Sequence, residues 1–166
     1  MSSIFSRPVI CNTGPIIGLA RIDMAWLPFR LFPKVIVPEE VWRELLVRDH
    51  GDRAQIEQAL KLAQIHDCGS APDPLLQAEL DIGEASVIAT ALQLGVSAAL
   101  IDERKARRIA SRVYRLEVKG SAGLLVEAKR RGLIPSVSPC LQGMVAAGYF
   151  LGPRLVAACL AAAGED

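Results

Sequence analysis

The sequence feature that most limits the fold of this chain is an alternation of short, strand-like runs with longer segments of helical periodicity. Four runs have the length of buried strands: PVICNT (8–13), KVIVP (34–38), SAALID (97–102) and RLEVKG (115–120). A chain that alternates strands and helices in this way folds as a parallel sheet wrapped by helices. We therefore predict an α/β fold whose ligands bind at the carboxyl ends of the strands.

The helical segments indicate one domain with a short extension. A first helix begins in IIGLARI, and further helices are predicted over 39–49, 54–64, 81–95, 103–113 and 121–132. Ser121 is the expected N-cap of the last of these, and Gly132 its C′ residue. Two short helices separated by GYFLGP follow. We treat 1–166 as a single domain with a core of about 8–133 and a C-terminal helical extension over 134–166, whose Ala-rich last helix packs on the domain or on a second subunit.

The composition agrees with one sizeable core and excludes several classes of protein. The chain is 51% hydrophobic and 22% charged, and its net charge of +1 gives no global attraction to nucleic acid or membrane. No apolar run is long enough to span a bilayer and no signal peptide is evident, so we expect a cytoplasmic protein without a membrane partner. The scattered cysteines, without a C-x-x-C pair, are expected to be free thiols. The sequence contains neither a G-x-G-x-x-G motif after its first strand nor a P-loop pattern, so nucleotide binding is not favoured.

Carboxylates and one amide occupy strand ends and helix starts along the chain: Asn12, Glu44, Asp81, Glu84, Asp102 and Glu103. Such positions converge on one edge of a parallel sheet. Carboxylates gathered there would repel one another unless a divalent cation neutralised them.

Each of these residues also has a purely structural interpretation. Asn12 suits a turn where a strand becomes a helix. Asp81 and Glu84 match a capping box, and Asp102-Glu103 precede a helix that they could cap. On the helix over 39–49, Glu40 is the better candidate than Glu44 for an ordinary solvated charge.

Basic residues follow the last of these acids. They are Arg104, Lys105, Arg107, Arg108, Arg112 and Arg115, with the KRR triplet at 129–131 adding more. Flanking an acidic cleft, they could hold an RNA backbone. A solvated helix face is the alternative, and no aromatic run accompanies them for base stacking.

Five motifs, taken in order, resemble those of PIN-domain proteins, in particular a prokaryotic PIN-like branch related to VapC-type toxins. They are VICNTGPIIGLARI, VIVPEEVWREL, LDIGEASVIATALQLG, AALIDERKARRIA and GSAGLLVEAKRRGLIPSV, which together span about residues 8 to 137. The resemblance implies a three-layer α/β/α Rossmann-like domain with a central parallel sheet. It also implies hydrolysis of RNA phosphodiesters with Mg²⁺ or Mn²⁺, and a toxin that pairs with an antitoxin protein.

Carried over by position, the resemblance places Asn12, Glu44, Glu84 and Asp102 at the four acidic positions. The three carboxylates would be catalytic, and all four residues would be metal ligands. Asp81, Glu103 and Thr13 would be auxiliary residues, and the two acids among them would also bind the metal. Arg104, Lys105, Arg107 and Arg108 would contact nucleic acid. Asn12 departs from the family pattern because an Asp is typical there, and an amide contributes no negative charge to a cation.

Two other hypotheses remain open from the sequence. One is a catalytically weakened PIN-like module that binds nucleic acid, and the other is a non-catalytic scaffold that dimerises through the last helix. A homodimer is expected in either case.

Overall fold

A computed structural model describes residues 2–48, 50–69 and 73–166 and contains a parallel sheet of five strands. The strands are β1 (Val9–Cys11), β2 (Val35–Pro38), β3 (Gln64–His66), β4 (Ala98–Leu100) and β5 (Glu117–Lys119). Their order in the sheet is β3-β2-β1-β4-β5. The predicted α/β/α architecture with a central parallel sheet is confirmed. Strands β1 and β4 are neighbours, and in their register Cys11 pairs with Leu100.

Helices cover the sheet and connect its strands. They are α1 (Thr13–Ala20), α2 (Leu27–Leu31), α3 (Glu39–Val47), α4 (Arg53–Leu60), α5 (Pro74–Glu79), α6 (Ile82–Leu94), α7 (Arg104–Arg112), α8 (Ser121–Arg130), α9 (Ser138–Ala146) and α10 (Pro153–Ala162). A short 3-10 helix (Ile4–Ser6) precedes β1. Every residue of β1, β2 and β4 is buried, since helices shield these strands from water.

The edge strand β3 was not predicted. It follows α4, which ends at Leu60, so the predicted helix over 54–64 was too long at its C-terminal end. The three residues of β3 are exposed or half-buried and form no apolar run, which is why only their pairing with β2 reveals a strand. The short helices α2 and α5 were also missed.

Several helix boundaries differ from the sequence prediction. The first helix already begins at Thr13, so the polar break after β1 is its first turn. The helix predicted over 39–49 ends at Val47, and Asp49 lies outside the described residues. Gly95 and Gly132 do follow their helices with positive φ, as expected for helix ends.

The C-terminal extension folds back onto the domain. Helix α10 packs on α8, and Lys129 Nζ of α8 donates to the Ala163 carbonyl at 2.8 Å. Glu165 accepts from Ser136 Oγ at 2.6 Å and from the backbone N–H groups of Val137 and Ser138. The last helix therefore packs on its own domain, which is one of the two expectations for it.

Within the described ranges, no helix combines the length and the apolar character that crossing a membrane requires. The four cysteines are free thiols, and three of them are buried. Burial raises the pKa of each of these thiols.

Candidate active site

The candidate site lies where the neighbouring strands β1 and β4 end. Asn12 follows β1 and Asp102 follows β4 shortly after its end, and the Asn12 N–H donates to the Leu100 carbonyl at 3.0 Å. Helix α1 begins directly after Asn12, and α8 begins after β5 at the same edge. The sheet therefore brings three separate segments of the sequence, those around Asn12, Asp102 and Ser121, to one edge.

Three oxygen atoms converge beside Gly83, in the first turn of α6. A Cβ atom on Gly83 would lie 2.9 Å from Glu44 Oε2, 3.5 Å from Asp81 Oδ1 and 3.7 Å from Asn12 Oδ1. Thr13 Oγ1 donates to the same Glu44 oxygen at 2.9 Å. Because glycine has no side chain, these three oxygens can lie around the point that a Cβ atom would occupy.

Asn12 is buried, with 6% of its surface exposed. It occupies the N-cap position of α1, yet its side chain forms no capping hydrogen bond. Asn12 therefore lies where the strand becomes a helix, as expected, but its amide does not cap the helix backbone. Its amide oxygen instead lies near the carboxylates of Glu44 and Asp81.

Asp81 and Glu84 form the predicted capping box of α6. Asp81 Oδ1 accepts from the Glu84 N–H at 2.8 Å, and Glu84 Oε2 accepts from the Asp81 N–H at 3.2 Å. Burial raises the pKa of Glu84, and the negative charges of Asp81, Glu103 and Glu44 raise it further. Glu84 thus caps a helix and also belongs electrostatically to the acidic site.

Asp102 is held by three hydrogen bonds from two residues. The Ser121 N–H donates to Oδ1 and the Ser121 hydroxyl to Oδ2, each at 2.7 Å, and the Tyr149 hydroxyl also donates to Oδ2. The expected role of Ser121 as N-cap is wrong, because Gly120 occupies that position and Ser121 opens the helix. Burial, followed by the charge of Asp102, raises the pKa of Tyr149, so the phenol remains a protonated donor.

Glu103 serves mainly as the cap of α7. Its two carboxylate oxygens accept from the N–H groups of Lys105, at 3.0 Å, and Ala106, at 2.7 Å. As predicted from the sequence, a member of the Asp102-Glu103 pair caps this helix. Its charge still reaches Glu84, because it contributes to the raised pKa of that carboxyl.

The donor set agrees in chemistry with a hard divalent cation. Every candidate ligand offers an oxygen, and three of these oxygens surround the open space beside Gly83. Over the described ranges, however, no three Asp, Glu, His or Cys side chains are grouped closely enough to hold a metal ion. The amide oxygen of Asn12 lies beside Gly83 together with the carboxylate oxygens of Glu44 and Asp81.

A basic groove of about 470 Å³ lies along α7, lined by Arg104, Arg107, Arg108, Ser111, Arg112 and Val118. In the part of the chain that the structure describes, none of these four arginines forms an ion pair with a carboxylate. The groove meets the acidic site at Gly120, where a Cβ atom would lie 2.6 Å from Asp102 Oδ1 and 2.9 Å from Arg107 Nη1.

Other basic residues singled out in the sequence have partners elsewhere. Lys105 forms an ion pair with Glu79, at 3.1 Å, and does not line the groove. Arg130 and Arg131 both donate to Glu127, so the KRR triplet is engaged within its own helix and with the C-terminal extension. Arg107 lines the groove while donating to the Ile101 carbonyl at 2.8 Å.

Glu40 is not the solvated charge that its helix position predicted. It is half-buried, and its Oε2 atom is shielded from water without a hydrogen-bond partner among the described residues. The charge of Glu40 contributes to the raised pKa of Cys68, so Glu40 lies near the segment that follows β3. A helical wheel could not show this because β3 itself was not predicted.

Sequence reasoning missed two participants in this site. Gly83 and Tyr149 carried no recognisable signal, because their roles depend on contacts with distant segments. Arg112 was named among the basic residues that could hold an RNA backbone, but it was not carried over as a nucleic-acid contact by the resemblance. Its spacing of four residues from Arg108, one helical turn, is the signal that could have placed it in the groove.

A protein-family model described as a PIN domain matches residues 8–165. Neither the curated proteins nor the solved structures yield a match. The matched range includes every residue of the acidic site, the basic groove and most of the C-terminal extension.

Proposed function

The chain belongs to the PIN-domain family, whose fold is of a nuclease type, and we propose that it is a divalent-metal-dependent endoribonuclease. The observation that carries this proposal is the convergence of Asn12, Glu44 and Asp81 oxygens beside Gly83. Glu84 is coupled electrostatically to this group, and Asp102 follows the neighbouring strand. An edge lined by oxygen donors of this kind is what hydrolysis of a phosphodiester with a hard cation requires.

The proposed cation is Mg²⁺ or Mn²⁺. Asn12, Glu44, Glu84 and Asp102 would hold it, with Asp81 and Glu103 as auxiliary acids. Among the described residues these carboxylates are not grouped closely enough to hold an ion as they stand, so a bound cation would have to draw them together. When bound, such an ion lowers the pKa of a water molecule and offsets negative charge on a phosphate. Thr13 supports this arrangement by donating to Glu44, which orients that carboxylate toward the shared space.

RNA is the proposed substrate, and the groove along α7 supports this choice. Its arginines carry positive charge that no carboxylate among the described residues neutralises. Because the groove meets Asp102 at Gly120, phosphates held by Arg104, Arg108 and Arg112 would continue a strand whose reacting phosphate lies at the acids. Arg107 stands at the junction.

A second candidate function is a PIN-like module that binds RNA but turns it over slowly. The neutral and buried Asn12 favours this alternative, because the group beside Gly83 then has two carboxylates where an Asp would provide a third. Cation affinity falls with the number of charged ligands. Binding by the basic groove does not depend on Asn12 and would persist.

The experiment that tests the first proposal compares purified wild type with Asp102→Asn on an end-labelled structured RNA. We expect Mn²⁺-dependent internal cleavage by the wild type, abolished by EDTA and lost in the variant. Asp23→Asn is the matched control, because Asp23 lies beyond the opposite end of α1 and asparagine tolerates its positive φ. Equal cleavage by wild type and Asp102→Asn would overturn the assignment of the site. RNA binding without cleavage would favour the second candidate.

The resemblance to VapC-type toxins extends the proposal to a toxin restrained by an antitoxin protein. Induced expression of the wild type should then arrest growth, and Asp102→Asn should not. A small gene for a DNA-binding partner immediately upstream would identify the antitoxin, and its coexpression should restore growth. The expected homodimer is tested by sedimentation of the intact chain and of a chain truncated after Gly148.

A further inference from the structure

Tyr149 reaches the acidic site from the C-terminal extension. It lies in the connection between α9 and α10, directly after Gly148, whose φ of +90° allows the chain to turn at the end of α9. The Tyr149 N–H donates to the Met144 carbonyl at 2.9 Å, and Arg21 Nη1 donates to the Ala147 carbonyl at 2.9 Å. The first bond closes the end of α9, and the second ties the turn to the end of α1.

The face of α1 that receives Tyr149 contains two glycines one turn apart. A Cβ atom on Gly18 would lie 2.8 Å from two ring carbons of Tyr149, and one on Gly14 would lie 3.2 Å from its hydroxyl oxygen. Both distances are too short for an unperturbed contact. The GPIIG segment is thus shaped to admit this tyrosine, and the ring occupies the space that other residues would fill.

The hydroxyl of Tyr149 ends at Asp102. It donates to Asp102 Oδ2, and the Gly14 carbonyl, at 3.0 Å, is a second acceptor within reach of the same hydroxyl. Together with the two bonds from Ser121, this donor occupies three of the roughly four lone-pair positions of the carboxylate. Asp102 is therefore held in one orientation and retains room for one further partner.

We propose that Tyr149 is a positioning residue for Asp102, so that the C-terminal extension is a working part of the active site. This inference rests on the proposed function, in which Asp102 holds a divalent cation. Residues that orient a metal ligand through a hydrogen bond affect metal affinity or activity by about 10-fold to 100-fold when removed. Because it acts through its hydrogen bond to Asp102, the hydroxyl of Tyr149 should have an effect of that size.

The test is Tyr149→Phe, which keeps the ring against Gly18 and removes only the donor. In the intact protein, the half-saturating Mn²⁺ concentration should rise about 10-fold to 100-fold, with KM for RNA unchanged. Tyr114→Phe is the matched control, because its hydroxyl donates to Asp73 Oδ2 at 3.1 Å, also a tyrosine–aspartate bond but outside the site. Phe150→Ala, at an 85% exposed neighbour in the same turn, controls for changes to the turn.

A second readout works without metal. The Ser121 N–H lies in the first turn of α8, where amides have no acceptor within the helix, and its partner is Asp102 Oδ1. Its hydrogen exchange, followed by NMR, therefore reports how firmly Asp102 is held. Tyr149→Phe should accelerate exchange at Ser121 and leave amides in the middle of α8 unchanged.

The outcomes separate this inference from the proposed function. Unchanged or tighter Mn²⁺ binding by Tyr149→Phe, or unchanged exchange at Ser121, would overturn the role of Tyr149. A wild type that neither binds Mn²⁺ nor cleaves RNA would overturn the proposed function. In that case exchange at Ser121 would still decide whether Tyr149 positions Asp102.

Discussion

Glu44 Oε2 lies 2.9 Å from the position that a Cβ atom on Gly83 would occupy. The two residues come from different helices, α3 and α6, and Glu44 can approach α6 this closely because Gly83 has no side chain. Because the atom that approaches is the end of a flexible side chain, a methyl group at Gly83 would displace the carboxylate and leave the helix backbone in place.

Gly83→Ala should therefore separate activity from stability. Alanine favours a helix over glycine by up to about 1 kcal/mol, so the free energy of unfolding should be unchanged or higher. Mn²⁺ affinity and RNA cleavage should fall, by about 10-fold or more, since Glu44 loses its position. Isothermal titration with Mn²⁺ and thermal unfolding of the same preparation measure the two effects.

Gly123→Ala is the control for this variant. Gly123 also lies in the first turn of a helix, and a Cβ there would meet only Lys119 Cδ at an ordinary 3.7 Å. It should gain stability without losing Mn²⁺ affinity. Full affinity in Gly83→Ala would show that Glu44 is not required where the structure has it.

Removing three arginines from the groove should weaken RNA binding in a salt-dependent manner. For the triple variant Arg104→Ala, Arg108→Ala and Arg112→Ala, we expect the magnitude of the slope of log affinity against log salt to fall by roughly 2. Each phosphate contact on a single strand contributes about 0.7 to this slope, and three contacts are removed. Fluorescence anisotropy with labelled RNA across a salt series measures this slope.

The matched control for the groove removes the same charge elsewhere. Arg30, Lys61 and Arg154 are exposed and lie outside the groove, so their triple alanine variant changes the net charge equally. Its salt slope should match that of the wild type. Equal losses in both triple variants would mean that overall charge, rather than the groove, attracts the RNA.

Asn12→Asp should tighten cation binding. The new carboxylate would join Glu44 and Asp81 around the same space, and we expect Mn²⁺ affinity to increase roughly 10-fold because a ligand charge is added. Without metal the added repulsion should lower the thermal unfolding temperature, and Mn²⁺ should restore it through binding to the folded state. An unfolding temperature in EDTA and an Mn²⁺ affinity both equal to those of the wild type would place Asn12 outside the cation site.

Glu165 should make the attachment of the C-terminal extension sensitive to acid. The Ser136 hydroxyl, with the N–H groups of Val137 and Ser138, lowers the pKa of this carboxyl from 4.5 to about 2. Since the folded pKa is depressed, the stabilisation is complete above about pH 4.5 and is lost as the pH falls toward 2. Glu165→Gln should unfold at a lower temperature than the wild type near neutral pH, and the difference should shrink across that window.

The neighbouring Asp166→Asn controls for charge at the end of the chain, because Asp166 is exposed. It should follow the wild type at every pH. A difference between Glu165→Gln and the wild type that persists undiminished down to about pH 2 would contradict the proposed origin of the stabilisation.

Local sequence was sufficient to determine much of this protein. The alternation of strands and helices was sufficient to predict the parallel sheet, because the hydrophobic periodicity of each element can be read within a short segment. The capping box of Asp81 and Glu84 and the helix ends at Gly95 and Gly132 followed for the same reason, since each depends on residues a few positions apart. The resemblance of five ordered motifs indicated the family.

Tertiary structure decided the contacts that join distant segments. Tyr149 and Ser121 reach Asp102 across 47 and 19 residues, and Glu44 meets Gly83 across two helices. The strand β3 is recognised only through its pairing with β2, and Glu40 is half-buried near the segment that follows this strand. No local pattern encodes such contacts, because a hydrogen bond or an open space between two segments depends on how the whole core packs. The sequence alone thus determined which chemical groups the site contains, and the packed fold decided how they are held.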